Sequence, residues 1–137
     1  MGRAASTSCR TPSRAVLSRQ RGAIDFYSHG KISAHKGIHR HHILPRGRFA
    51  PEEKPEADTL ANIAFVLGGT NESLGSDDPA VYLAKLTPKT RASQCIPDSE
   101  DLWSMDAASR FWSARRKLLA ESFDEFIQER MSARRLR

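Results

Sequence analysis

Two short apolar segments in the first half of the chain have the length and composition of β-strands. Residues 37–44 are partly β-branched and end at Pro45, which cannot donate a hydrogen bond to a continuing strand ladder. Residues 60–67 are apolar, include Ile, Phe and Val, and stop at a Gly-Gly pair, which predicts a buried second strand. We expect these two strands to pair antiparallel.

The second half of the chain has helical patterns. Asp78 and the proline after it have the order of a cap and a first helical residue, which predicts a short helix over residues 79–86. Residues 87–100, with two prolines, are predicted to be a linker. A long helix is predicted from an N-cap near Asp106 to Met131, because apolar residues recur along it at helical spacing. These apolar residues are Phe111, Leu118, Leu119, Phe123, Phe126, Ile127 and Met131.

The remaining segments read as turns and loops. Thr70 can cap a helical turn over residues 71–74, which Gly75 would end. Residues 24–32 contain a Ser-His-Gly turn signal and predict a short hairpin or loop. Residues 47–58 hold two prolines and several charges, as expected for a surface loop.

The distribution of charge divides the chain into three parts. Residues 1–23 contain arginines but no Asp or Glu, and we interpret them as a disordered basic tail. An organellar transit peptide, or translated sequence upstream of a truncated domain, is the alternative. Residues 24–131 are expected to form one α+β domain, and residues 132–137 a frayed basic C-terminus. The basic run 115–117 of the long helix is expected to be solvated.

Composition narrows the classes of partner. The formal net charge of +6 and the sequence pI near 9.8 favour a polyanion such as nucleic acid. Cys9 and Cys95 lie far apart, which excludes a disulfide framework and a CxxC zinc knuckle and fits a reducing, cytoplasmic setting. No apolar run approaches the roughly 20 residues of a membrane-spanning helix, so no membrane partner is expected.

His41-His42, Asn62 and Asn71 are the candidate chemical residues. A neutral imidazole has a pKa near neutral pH, so one histidine suits a general base that takes a proton from water. The other can ligate a divalent metal through a ring nitrogen, as can the amide oxygen of Asn71. Adjacent strand residues point to opposite faces, so the two histidines can serve one site only at a twist or strand end. Pro45 is close enough to provide that end.

Each candidate also has a structural alternative. Asn62 can be a polar residue at a strand bend that hydrogen-bonds the local backbone, which is compatible with a bracing role. Asn71 can be a helix cap rather than a ligand. His39 lies on the same strand face as His41, so a two-histidine transition-metal site is a further interpretation.

The order of these residues resembles the HNH domain at the C-terminus of GmrSD-type, modification-dependent restriction enzymes. The resemblance is carried by His41-His42-Ile-Leu-Pro-Arg, Leu60-Ala-Asn-Ile-Ala-Phe-Val-Leu, Thr70-Asn-Glu-Ser-Leu-Gly and Asp78-Pro-Ala-Val-Tyr-Leu, and it continues through Cys95-Ile-Pro and Trp103 into Phe111-Trp-Ser-Ala-Arg-Arg-Lys-Leu-Leu. It covers residues 22–131. The resemblance implies a ββα-metal fold with flanking C-terminal helices, and hydrolysis of DNA phosphodiester bonds in a restriction or phage-defence system.

The resemblance also implies a role for each candidate residue. His42 matches the general base, Asn62 the asparagine that braces it, and His41 and Asn71 the metal ligands. The family usually has Asp where this chain has His41, and the exchange removes a negative charge from the metal shell. Mg²⁺ or Mn²⁺ is the expected cofactor. Zn²⁺ and Ni²⁺ are alternatives, because the loss of charge weakens the binding of hard cations such as Mg²⁺.

Four basic residues near the histidine pair are candidate phosphate contacts, with a solvated surface as the alternative. They are Lys36, Arg40, Arg46 and Arg48. DNA is the expected partner, and RNA is left open. The resembling enzymes carry a large N-terminal NTP-dependent module that has no counterpart here, so we expect a detached or truncated effector domain. A separate NTP-dependent targeting module is a candidate partner. A catalytically silent nucleic-acid-binding remnant is the alternative function.

Overall fold

The computed structural model describes residues 22–32 and 37–136. Most of the predicted basic tail, residues 1–23, and the candidate phosphate contact Lys36 lie outside the described residues. Within them, the chain forms an α+β fold, as predicted, with a two-stranded antiparallel sheet and several helices. No helix in this part of the chain is both long and apolar enough to cross a membrane.

The sheet consists of β1 (Ile38–His42) and β2 (Ile63–Leu67), which pair antiparallel as the sequence predicts. The register places His41 opposite Ala64. The second strand is shorter than predicted, because Leu60–Asn62 forms a 3-10 turn closed by a 2.9 Å hydrogen bond from the Asn62 N–H to the Thr59 carbonyl. Asn62 therefore precedes the strand rather than lying within it.

β2 is buried on both faces, which explains its unbroken apolar sequence. Ala64 and Val66 belong to the main hydrophobic core, whereas Ile63 and Phe65 belong to a second cluster that includes Leu119. This division follows from the alternation of side chains along a strand. β1 is mostly accessible by comparison, and its one buried side chain is an imidazole. β1 thus presents a polar group to the protein interior.

Two polar side chains satisfy backbone groups on the edge of β2 that faces away from β1. Gln94 donates from Nε2 to the Phe65 carbonyl at 2.6 Å and accepts at Oε1 from the Phe65 N–H at 3.4 Å. Asp25 accepts at Oδ1 from the Leu67 N–H at 2.8 Å. Buried backbone groups need such partners because an unpaired one costs free energy comparable to a lost hydrogen bond. Both side chains come from segments that the sequence identifies only as a loop and a linker.

Five helices complete the described part of the fold. They are α1 (Lys54–Ala57), α2 (Gly68–Leu74), α3 (Pro79–Lys85), α4 (Pro88–Ser93) and α5 (Ala108–Arg135). The cap predicted for α3 is confirmed, since Asp78 Oδ1 accepts from the Ala80 N–H at 3.0 Å. The prediction that residues 87–100 form a linker is wrong, because they contain α4. Thr87 caps this helix, since its hydroxyl oxygen accepts from the Thr90 N–H. The loop predicted over residues 47–58 likewise contains α1.

α2 begins at Gly68 rather than after Thr70. Thr70 is not its cap, because the hydroxyl donates to Asp25 Oδ2 at 2.6 Å instead. Gly75 ends the helix as predicted, with a positive φ of 47° that suits glycine. Asn71 consequently lies inside the helix and is not a cap residue. Its side-chain amide can therefore contact a side chain of the sheet.

α5 begins two residues after the predicted cap Asp106 and continues to Arg135, past the predicted end at Met131. Arg115 was expected to be solvated, and this prediction is wrong: its side chain is fully buried. The guanidinium donates to the carbonyl oxygens of Gln94, Leu60 and Ala61. Burial lowers the pKa of Arg115 to about 10. These hydrogen bonds attach α5 to the turn that carries Asn62.

Candidate metal centre and general base

His41 is the buried member of the site, with only 3% of its surface exposed. Its Nδ1 lies 3.1 Å from Oδ1 of Asn71 on α2, and its Nε2 lies 3.3 Å from the hydroxyl oxygen of Tyr82 on α3. The ring also stands edge-on to the rings of Phe26 and Tyr82. Two residues selected from the sequence, His41 and Asn71, are therefore in contact, although 30 positions separate them.

Burial determines the charge of this imidazole. Desolvation lowers the pKa of His41 to about 4; the nearby Asn71 oxygen favours the protonated form and opposes this shift, and the neighbouring His42 adds to it. The ring is therefore neutral at neutral pH. A neutral imidazole has one nitrogen with a free lone pair, which is the form that binds metal ions.

Tyr82 connects His41 to the backbone just after β1. Its hydroxyl donates to the carbonyl of Ile43 at 2.5 Å, and the side chain is 5% exposed. Burial raises the pKa of Tyr82, so the hydroxyl keeps its proton and remains a donor. The sequence identifies Tyr82 only as an apolar residue of α3, because helical spacing predicts burial but not the polar group that a buried hydroxyl contacts.

His42, at the end of β1, has different neighbours. Its side chain is 33% exposed, and its Nε2 lies 2.9 Å from Oδ1 of Asp58, the residue after α1. Arg46 donates from Nε to the same oxygen at 2.8 Å. The hydrogen bond from Arg46 is the main cause that lowers the pKa of Asp58, and His42 contributes, so this carboxyl is ionised near neutral pH. A carboxylate that accepts from Nε2–H leaves Nδ1 of His42 free to accept a proton.

Asn62 braces the backbone around His42 and Asp58. Its Oδ1 accepts from the Leu44 N–H at 2.9 Å, and its Nδ2 donates to the carbonyls of Leu44 and Ala57 at 3.0 and 2.8 Å. The side chain is completely buried. One amide thus links the backbone just after β1 to the end of α1, next to the candidate base His42 and its carboxylate partner Asp58.

The adjacent histidines keep the alternation of a strand. His41 is buried against α2 and α3, whereas His42 faces Asp58, and no hydrogen bond or ring contact joins the two imidazoles in the described residues. His39 is exposed and lies beside Gly68, where an added Cβ would be 3.1 Å from its Nε2. No hydrogen bond joins His39 to His41 within residues 22–32 and 37–136. A ligand that uses both His41 and His42 must lie across the end of β1.

The basic residues near the site differ in how they are engaged. Arg40 is exposed on β1, and Arg46 and Arg48 are exposed in the 3-10 turn Arg46–Arg48. Arg46 uses Nε for Asp58, and Arg48 donates from Nη2 to the Ser76 carbonyl at 2.8 Å. A guanidinium has five N–H donors, so each keeps donors for another anion. Arg46 is linked to His42 through Asp58, and Arg40 and Arg48 are exposed basic residues close to His42 in the sequence.

Among the described residues, no group of three or more His, Cys, Asp or Glu side chains is arranged to hold a metal ion. The His41–Asn71 pair is a different donor set, because it contains an amide oxygen. Comparison of the chain with protein-family models, with curated proteins and with solved structures gives no match.

Proposed function

We propose that this chain is a metal-dependent HNH-type endonuclease domain that hydrolyses DNA phosphodiester bonds. The observation that carries the proposal is the contact between His41 Nδ1 and Asn71 Oδ1, next to a histidine oriented by a carboxylate. Metal-assisted hydrolysis needs a cation site, a base for water and a scaffold that holds both. The end of β1, with α2 behind it, carries candidates for all three.

The separation of the two proposed ligands fits a small divalent cation. Adjacent ligands of an octahedral ion, bound at about 2.1 Å, stand about 3.0 Å apart. His41 Nδ1 and Asn71 Oδ1 are 3.1 Å apart, so one cation can bind both with little movement of either side chain. Both ligands are neutral, which favours Mn²⁺, and also Ni²⁺ or Zn²⁺, over Mg²⁺. Water and phosphate oxygens would complete the shell.

The order of elements also supports the proposal. β1 carries both histidines, β2 follows directly after Asn62, and α2 carries Asn71, which is the strand, strand, helix order of a ββα-metal site. Asn62 has the contacts of a bracing residue, since its amide holds the backbone on either side of the proposed base. The alternative interpretation of Asn62, as a residue that bonds local backbone, describes the same contacts.

In the proposed reaction, the scissile phosphate lies across the end of β1. Nδ1 of His42 takes a proton from a water molecule, and the resulting hydroxide attacks phosphorus in line with the leaving 3′-oxygen. The bond between phosphorus and that oxygen breaks, and the oxygen takes up a proton from water, which yields 5′-phosphate and 3′-hydroxyl ends. A bound cation supplies electrophilic stabilisation of the phosphate and the leaving oxygen.

The charge distribution favours a nucleic-acid substrate, and we propose DNA because the resembling enzymes cut DNA. Arg40, Arg46 and Arg48 are exposed and close to His42 in the sequence, and arginine binds phosphate through paired N–H donors. Their role predicts binding that weakens steeply with salt. We further propose that the domain acts in a restriction or phage-defence system, together with a separate NTP-dependent targeting module.

A plasmid-nicking assay tests the proposed function. Supercoiled DNA is incubated with the full chain and Mn²⁺, Mg²⁺, Ni²⁺ or Zn²⁺, with and without EDTA, and a gel-shift assay is run in parallel. We expect conversion to the nicked form with at least one metal and none with EDTA. Binding of DNA without cutting under any metal would instead support a catalytically silent remnant, and cutting of RNA alone would change the substrate class.

A further inference from the structure

The C-terminal half of α5 carries an apolar stripe that the rest of the described fold leaves accessible. Among the described residues of this helix, none after Leu119 is buried. Ile127 and Met131 are 47% and 48% exposed, and Phe123 and Phe126 are only partly buried. These four side chains recur at spacings of three and four residues, so they share one face of the helix. A contiguous exposed apolar face of this kind is typical of a contact surface.

Acidic residues accompany this apolar stripe. Residues 121–129 contain four Asp or Glu and no Lys or Arg. Asp124 lies two helical turns before Met131, so both side chains are on the same side of α5. The helix dipole does not explain the acidic residues, because it favours them in the first turn, where α5 has none. The stripe therefore suits a partner that is both apolar and basic.

The N-terminal part of the chain enters the fold beside this half of α5. The Ile24 N–H donates to Oγ of Ser93 at 3.0 Å, and its carbonyl accepts from Nε2 of Gln94 at 3.3 Å. The next residue, Cys95, has its Sγ 3.2 Å from Oγ of Ser122 on α5. The chain that precedes Ile24 is therefore attached close to the point where the accessible half of α5 begins.

Residues 1–21 have the composition and the length that the stripe requires. They contain five arginines and no Asp, Glu or Lys, and residues 15–17 are an Ala-Val-Leu run between Arg14 and Arg19. Residues 120–135 of α5 span about 24 Å at a rise of 1.5 Å per residue. A segment of 21 residues is long enough to cover this distance even at the same rise per residue.

We propose that residues 1–21 lie along the accessible half of α5, with residues 15–17 on the apolar stripe and Arg14 and Arg19 beside the acidic residues 121–129. Attachment at Ile24 favours this segment over a second copy of the chain, because a short tether gives an effective concentration in the millimolar range and a weak contact is then sufficient. The proposal replaces the interpretation of residues 1–21 as a disordered tail. It is independent of the proposed nuclease function.

Trypsin cleavage of the full chain tests this proposal. Trypsin cuts after arginine only when the segment around it is free to enter the protease, so a bound segment is cut slowly. A synthetic peptide of residues 1–24 is the reference. We expect cleavage after Arg14 and Arg19, measured by mass spectrometry, to be at least about tenfold slower in the chain than in the peptide. Equal rates overturn the proposal.

A matched pair of double variants locates the contact. Asp124→Asn with Ile127→Gln removes one charge and one apolar side chain from the stripe, and Glu72→Gln with Val81→Gln makes the same changes at exposed positions of α2 and α3. Urea unfolding checks that both proteins are folded. We expect cleavage after Arg19 to approach the peptide rate in the first variant only. Equally slow cleavage in the two variants overturns the proposal.

A dilution series of the wild type separates a contact within one chain from a contact between copies. If residues 1–21 bind α5 of their own chain, the cleavage rate after Arg19 is independent of protein concentration. Faster cleavage on dilution shows that a second copy supplies the contact and overturns the proposal.

Discussion

Nε2 of His42 lies 2.9 Å from Oδ1 of Asp58, and Arg46 donates to the same oxygen. One carboxylate oxygen therefore orients the proposed base and holds the Arg46 guanidinium beside it. The pair is partly exposed, with 33% and 44% of the two side chains accessible, so it contributes little to stability. Its value to the protein is the orientation of the imidazole, because the carboxylate favours the tautomer with a free Nδ1.

Asp58→Asn should impair catalysis more than folding. The amide keeps the size of the side chain but loses the charge that orients His42, so we expect the nicking rate to fall about 10- to 100-fold. The free energy of unfolding should change by less than about 1 kcal/mol, as for other exposed ion pairs. Glu56→Gln, which removes an exposed carboxylate two positions earlier, is the control and should leave both quantities unchanged. Equal nicking by the two variants would contradict the orienting role.

His42→Ala should abolish metal-dependent nicking, because no other group in the site is placed to take the proton from water. General base catalysis contributes about 10²- to 10⁴-fold to a rate, so the loss should be of that size. DNA affinity in a gel-shift assay should stay within about twofold, since binding is proposed to depend on phosphate contacts of the arginines. His29→Ala removes another exposed imidazole and serves as the control. Undiminished cutting by His42→Ala would refute the assignment.

Asn62→Ala should destabilise the fold strongly. The variant loses three buried hydrogen bonds and leaves backbone groups of Leu44 and Ala57 without partners. We expect the free energy of unfolding, measured with urea, to fall by about 3 kcal/mol. Asn71→Ala, which truncates a half-buried amide, should cost less than about 1 kcal/mol. Similar losses in the two variants would argue against the bracing role of Asn62.

Arg115→Met should destabilise the protein although it removes a buried charge. Methionine can fill much of the space, but the carbonyls of Gln94, Leu60 and Ala61 lose the donors that satisfy them. We expect a loss of about 3 kcal/mol or more in urea unfolding. Arg116→Met changes an exposed neighbour and should stay within about 0.5 kcal/mol of the wild type. A neutral or stabilising effect of Arg115→Met would show that the apolar contacts outweigh the hydrogen bonds.

The low pKa of His41 predicts that, in the absence of metal, the free energy of unfolding decreases as the pH is lowered. The unfolded chain takes up a proton near pH 6.5, but the folded ring does so only near pH 4, so protons favour unfolding between these values. In EDTA, the wild type should lose about 3 kcal/mol of stability between pH 6.5 and 4 relative to His41→Gln. Below pH 4 the two curves should run parallel, because His41 is then protonated in both states. Parallel curves across the whole range would contradict the buried neutral ring.

Local sequence patterns were sufficient to predict much of the secondary structure. The antiparallel pair, the cap at Asp78, the end of α2 at Gly75 and most of α5 all follow from apolar periodicity and from proline and glycine signals. These features depend on interactions between residues a few positions apart, which a linear sequence displays. α4 has the same cap-then-proline signal, at Thr87, and could have been predicted from it.

The candidate site was predictable only in part. His41, Asn62 and Asn71 could be selected from their order along the chain, but their contacts could not. Asp58, which lies in a charged segment, and Tyr82, which lies on an apolar helix face, have no local signal that distinguishes them from neighbours.

Burial of polar groups depended on the packing of distant segments. Arg115 resembles its exposed neighbours in sequence, yet it is buried because carbonyls 21 to 55 positions away converge on its guanidinium. Asp25 and Gln94 are buried for the same reason, since the edge of β2 needs partners that its own strand cannot supply. Helical and strand periodicity records which side chains avoid water. It does not record which backbone groups those side chains must satisfy, because that depends on segments brought together only when the chain folds.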